Sequence, residues 1–173
     1  MKTKELVTMS LFVAIGLALH SIIPPIFFGM KPDMMLTMMF LGIALFPTLK
    51  NTLLLGVLTG ILSALTTGFP GGQLPNIIDK PLTALAFFTL LVLAGKMTSK
   101  PVTVPAFTAI GTVLSGIIFL GSALFLVGLP GGAGFTALFI TVVLPAAALN
   151  TIAITFIFPI VAAINKRSKT VSA

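Results

Sequence analysis

The apolar positions of this chain fall into six long blocks. A bilayer hydrocarbon core about 30 Å thick needs roughly 20 apolar residues of helix to cross it. The first block runs over about Leu6–Ile23 and stops at Pro24-Pro25. The second, about Met34–Phe46, is short and rich in methionine and ends at Pro47. The third and fourth cover about Thr52–Thr67 and Ile77–Ala94, the fifth about Val104–Val127 and the sixth about Thr136–Ile164. Spans two and three are too short for a full crossing, which places them beside thick loops or where the bilayer thins. The pattern predicts an all-α integral membrane protein: a six-transmembrane-helix bundle, with residues 1–173 forming a single membrane domain.

Composition fixes the class. Hydrophobic residues make up 57% of the chain and charged ones 8%, against roughly 25% charged in soluble domains. The first block lacks an A-x-A-like cleavage site and apolar blocks follow it to the end, so it reads as a span rather than a cleavable signal. There is no cysteine, hence no disulfide or thiolate chemistry, and no Trp or Tyr. The net charge of +7 would attract nucleic acid if it were clustered, but it is sorted by side. Lys2, Lys4, Lys50, Lys96, Lys100, Lys166, Arg167 and Lys169 fall on one face and only Lys31 and Lys80 on the other. That asymmetry puts both termini in the cytoplasm and the protein in the cell membrane as a multi-pass chain.

The outer side then holds nearly all the unusual chemistry. Two of the three acidic residues sit beside a lysine and a proline there, in KPD (Lys31–Asp33) and DKP (Asp79–Pro81). So do two glycine-rich loops, FPGGQLPN (Phe69–Asn76) and LPGGAGF (Leu129–Phe135). As structure, Asp33 caps the second helix and Pro81 opens the fourth. That account leaves Lys80 unexplained, since a cation is unfavourable at a helix N-terminus. As function, a lysine takes a carboxylate and an aspartate an ammonium, which makes a site for a zwitterion.

Other polar residues divide the same way. His20, the only histidine, lies one turn above Gly16, which leaves space beneath its ring; it is either wetted at the interface or part of a site. Asn150, mid-way along the sixth span, either bonds another helix or lines a pocket floor. Pro145 withdraws the hydrogen bond to the carbonyl near Thr141 and kinks that span. Small residues recur every fourth position at Ser10, Ala14 and Ala18, and at Gly56, Gly60, Ala64 and Gly68. Such stripes serve internal packing or dock a partner helix. Met34, Met35, Met38 and Met39 supply adaptable packing or sulfur contacts to an aromatic ligand. The phosphate-loop, GxSxG and HExxH motifs are missing, and one His with no Cys makes a poor metal set, so neither an enzyme nor a metal site is expected.

The stretches KELVTMSLFVAIGLALHSIIPP, GMKPDMML and SALTTGFPGGQLPNIIDKP resemble the TrpP family, tryptophan transporters of the type that serve as S components of energy-coupling factor (ECF) transporters. The resemblance covers essentially the whole chain. It implies a substrate-binding subunit with no cofactor of its own, working with a transmembrane coupling subunit and two ATPase subunits that use ATP. It also implies contact with the coupling subunit through the AxxxA face, Ala14 and Ala18. The expected site for L-tryptophan draws on His20, Lys31, Asp33, Gln73, Asn76, Asp79, Lys80 and Asn150. Phe27, Phe28, Phe69 and Phe135 would wall the ring, and the glycine-rich loops would act as lids. The alternatives are a self-contained homodimeric permease or channel joined through the glycine stripe of the third helix, and a structural subunit.

Overall fold

The computed structural model describes residues 3–24, 32–95, 102–129, 132 and 134–170. Among them there are helices and no strands: α1 (Thr3–Ile22), α2 (Met34–Leu45), α3 (Leu49–Leu65), α4 (Gln73–Ala94), α5 (Thr103–Leu126), α6 (Phe135–Leu138), a π-helical turn (Phe139–Val143) and α7 (Leu144–Thr170). The last three run on as one apolar segment, so six segments are present, as the hydrophobic blocks predict. Four are long and apolar enough to cross a membrane, while α2 and α3 are shorter.

The bundle is organised around its shortest full segment. A helix that is apolar all round has no face to give to solvent and must be enclosed. In α2 every residue from Met34 to Ile43 is buried, and the helix touches α1, α3, α4, α5 and α7. Its four methionines are part of this packing and none reaches the cavity described below. Phe40 stacks on Phe87 of α4 with ring centroids 4.2 Å apart, the kind of pair worth about 0.5–1.5 kcal/mol beyond its buried area. Gly16 of α1 seats α2 directly: a Cβ there would lie 3.1 Å from Met38 Cβ. The expected space beneath His20 is therefore filled by α2.

The outside of the bundle is the reverse of a soluble protein. Val7, Leu11, Val57, Ile61, Leu82, Leu93 and Phe125 are exposed, while Asn51, Thr59, Asp79, Lys80, Thr108 and Asn150 are buried. Apolar side chains outside and polar groups within are what a hydrocarbon surround selects, because lipid offers no hydrogen bonds.

Two boundaries differ from expectation. α4 begins at Gln73 rather than near Ile77, so Gln73 and Asn76 belong to its first turn. Pro75 is tolerated there because first-turn N–H groups have no intrahelical partner. Pro81 consequently lies inside the helix rather than at its mouth, and Asp79 and Lys80 are not helix-end residues. The last segment reaches Thr170, past the expected Ile164, and contains the π turn immediately before Pro145. Pro145 cannot donate to the Thr141 carbonyl, and the ladder changes register where that bond is lost.

The glycine stripe of α3 is used inside the bundle. A Cβ on Gly56 would lie 2.9 Å from Ala84 Cβ and 3.0 Å from Pro81 Cα, and one on Gly60 3.2 Å from the Asn76 carbonyl oxygen. The stripe brings α3 against α4, which places it away from any second copy. Gly56→Val is expected to cost about 1–3 kcal/mol by overpacking, read as a lower unfolding midpoint in detergent. An unchanged midpoint would mean that α3 and α4 are not held at this separation.

Candidate functional site

Three of the helices packed against α2 carry a polar stripe at helical spacing. On α4 it is Asn76, Asp79, Lys80 and Thr83; on α5 it is Thr108, Thr112 and Ser115; on α3 it is Thr59 and Ser63. All of these are buried, and residues three and four apart share a helix face. The stripes converge below a cavity of about 600 Å³. It lies at the end of the bundle formed by the close of α1 and α3, the start of α2 and α4, and the π turn. That volume is within the usual range for a small-molecule site.

The charged wall of the cavity is a compact network. Lys80 Nζ donates to Asp33 Oδ2 at 2.9 Å, to Asp79 Oδ2 at 2.8 Å and to Ser115 Oγ at 3.3 Å. An ammonium has three hydrogens, so all of them are engaged. Asp79 is fully buried and both its oxygens are occupied: Thr83 Oγ1 donates to Oδ1 at 2.7 Å, and Ser115 Oγ donates to Oδ2 at 2.7 Å. Asp79 therefore serves as the fixed counter-ion of Lys80. Removing either charge alone would leave the other buried and uncompensated.

Asp33 is the accessible member. Its side chain is 25% exposed, against 0% for Asp79 and 4% for Lys80. It caps α2 as the sequence predicts, with Leu36 N donating to Oδ1 at 3.0 Å, and it also reaches Lys80. His20 Nδ1 is 3.7 Å from Asp33 Oδ1. Burial disfavours the Asp33 carboxylate, but Lys80, His20 and the Leu36 amide outweigh it and hold its pKa below the ordinary 3.8. Two carboxylates face one ammonium, a net charge of minus one before His20 is counted.

The remaining walls are mostly apolar. Phe69 and Pro70 come from the loop before α4, Phe119 and Leu120 from α5, and Val142 and Val143 from the π turn. Phe69 and Phe119 meet edge to face, with centroids 5.1 Å apart and planes at 83°. Gly71 holds the loop with a φ of +71°, a conformation that glycine adopts without strain.

The structure brings His20, Asp33, Asn76 and Lys80 together on this cavity, with Asp79 behind Lys80. Gln73 is exposed at the start of α4 and does not line it. Asn150 is fully buried, and its Nδ2 donates to Thr112 Oγ1 at 3.4 Å across to α5; Thr112, not Asn150, lines the cavity. Phe69 is in the wall, whereas Phe135 stacks on Phe139 at 6.2 Å and stays outside it. Lys31, Phe27 and Phe28 lie outside the described residues. Sequence reasoning missed Ser63, Thr83, Thr112, Ser115 and Phe119. The inward polar stripes were the signal that could have found the four hydroxyls. Among the described residues no cluster of three metal-ligating side chains occurs.

A helical bundle with an apolar exterior, enclosing a cavity charged on one wall and mostly apolar on the others, has the architecture of a membrane transport protein. The family model for the tryptophan transporter TrpP matches residues 2–166, and the chain belongs to that family, a family of transporters and not of enzymes. It is 63% identical over 168 residues to a "probable tryptophan transport protein" of Bacillus subtilis (strain 168), covering 97% of this chain and 96% of that one. A protein of the same description from Clostridium acetobutylicum is 50% identical over 159 residues, covering 91% of each. Another from Clostridium perfringens is 43% identical over 159 residues, covering 87% and 86%. No solved structure matches.

Proposed function

We propose that this chain is the substrate-binding S subunit of an ECF transporter that imports L-tryptophan across the cell membrane, with both termini cytoplasmic. The observation that carries the reading is the join between an accessible Asp33–Lys80 ion pair and an apolar, partly aromatic cavity. An amino-acid zwitterion can insert into such a pair. Its carboxylate takes the Lys80 hydrogen that Asp33 gives up, and its ammonium takes Asp33 in exchange, with His20 beside it. Both charges of the protein stay compensated throughout, which a buried site requires. Asp79 keeps Lys80 charged and positioned without touching the ligand. The ring then lies against Phe69 and Phe119. Relatives described as tryptophan transport proteins support this substrate.

The energy would come from a coupling subunit and two ATPase subunits that use ATP. Ser10, Ala14 and Ala18 are all exposed along one side of α1, and their small side chains allow another helix to approach closely. The Ala14→Leu, Ala18→Leu double variant is expected to bind tryptophan as the parent does. It should lose ATP-dependent uptake and co-purification with the partner subunits. Uptake by the purified chain alone, in vesicles without ATPases, would contradict the reading and favour a self-contained permease.

A further inference from the structure

The ion pair reads what every amino acid shares, so selection of one side chain must come from the rest of the cavity. Four other polar side chains line it away from the charges: Ser63, Thr67, Asn76 and Thr112. Three are engaged. Thr67 Oγ1 accepts from Phe69 N at 3.2 Å, Asn76 Nδ2 donates to the Gly72 carbonyl at 2.9 Å, and Thr112 Oγ1 accepts from Asn150. Ser63 is 3% exposed, and its Oγ has no hydrogen-bond partner among the described residues. This sets it apart from the hydroxyls of Thr52, Thr66, Thr108 and Thr151, which donate to the carbonyl four residues earlier at 2.7–3.0 Å. A buried polar group calls for a partner, and Ser63, unlike Thr59 one turn earlier, equally unpartnered among the described residues, lines the cavity, where a ligand atom can supply one.

Its position fits that role. A Cβ on Gly60 would lie 3.5 Å from Lys80 Cβ, so Gly60 marks the level of the lysine on α3. Ser63 is three residues on, about 4.5 Å farther along the same face, toward Phe69. A ligand anchored by its backbone groups at Lys80 and Asp33 therefore carries its side chain past Ser63. A serine hydroxyl oxygen carries lone pairs that can accept a hydrogen bond from a ligand N–H.

We propose that Ser63 Oγ accepts the side-chain N–H of the bound amino acid and so selects an indole over a plain aromatic ring. The proposal rests on the amino-acid reading above. A site built to bond an N–H rejects the analogue that lacks it far better than an apolar pocket rejects a change of shape. The test uses the purified chain and three ligands: L-tryptophan, L-phenylalanine and 3-benzothienylalanine, in which sulfur replaces the indole N–H at nearly constant shape.

The parent is expected to prefer tryptophan to benzothienylalanine by about tenfold or more. In Ser63→Ala that preference falls to within about twofold, while phenylalanine affinity stays within about threefold. Ser63→Thr, which keeps the hydroxyl, retains the preference and controls for packing. An unchanged preference in a folded Ser63→Ala variant, or none in the parent, overturns the role of Ser63 and leaves the amino-acid site standing. Absence of saturable tryptophan binding by the folded parent overturns that site and this proposal with it.

Discussion

Lys80→Met is expected to abolish ligand binding and to destabilise the protein by about 3–5 kcal/mol, the usual cost of breaking a buried ion pair by removing one partner. The variant leaves Asp33 and Asp79 on the same wall with no cation between them. Asp79 is the more costly of the two, because it is fully buried and its remaining donors, Thr83 and Ser115, are neutral hydroxyls. A second substitution separates the two losses. Adding Asp79→Asn to Lys80→Met removes one of the stranded charges, so thermal stability should recover in large part. Binding should not, because the lysine proposed to take the ligand carboxylate is still missing. Thermal unfolding in detergent, read beside a binding titration of both variants, checks this. An unchanged midpoint and affinity in Lys80→Met would refute the ion network as both strut and anchor.

The second large effect is expected at Asp33, where capping and binding can be pulled apart. Asparagine caps a helix about as well as aspartate, so Asp33→Asn should keep the bond from Leu36 N and leave α2 in place. It removes the charge that meets the ligand ammonium. Truncating one member of a buried charged contact typically costs about 2–4 kcal/mol, so tryptophan affinity should fall roughly 30- to 1000-fold with little change in melting. Asp33→Ala should lose the same affinity and about 1 kcal/mol more stability, from the cap. If Asp33→Asn binds within threefold of the parent, the aspartate is only a cap and the ammonium is held elsewhere.

These two residues also mark where the sequence was transparent. Asp33 was legible as a cap because it precedes an apolar run with no other start signal. The six segments were legible because block length and proline placement reflect the bilayer directly. The start of α4 was not. PGGQLPN has the composition of a loop, yet the helix begins at Gln73, where Gly60 lets α3 approach Asn76 and Ile77 closely. That shift turns Lys80 from an anomalous helix-end cation into the centre of a buried network. Of the hydroxyls that complete the site, Thr83 stands four residues from Asp79 on the same helix and was within reach of a spacing argument, whereas the pairing of Ser115, on α5, was opaque. A single Ser or Thr in an apolar helix usually bonds its own backbone, as Thr108 does, and nothing local distinguishes one that reaches across to a carboxylate. Asn150 was legible as a polar residue that must be paired, but the partner was not; it is Thr112, thirty-eight residues earlier.

On the proposed reading, the arrangement would let a small apolar chain hold a zwitterion. The charges stay fixed by one another and by hydroxyls before any ligand arrives, so binding of a zwitterion would exchange partners and add no net buried charge. Preorganisation of this kind lowers the ordering cost of association. The network also joins α4 to α5 through Lys80, Asp79 and Ser115, a polar link in a medium where apolar contact alone gives little preference.

The most direct test of the central claim is a fluorescence titration of purified protein into L-tryptophan. The chain contains no Trp and no Tyr, so excitation at the red edge of indole absorption reports the ligand alone. The account predicts a saturable rise in polarisation and a shift in emission with the lone chain, without ATP, and weak competition by phenylalanine. An emission spectrum and polarisation that stay flat across the titration, in a preparation with intact helical circular dichroism, would contradict it.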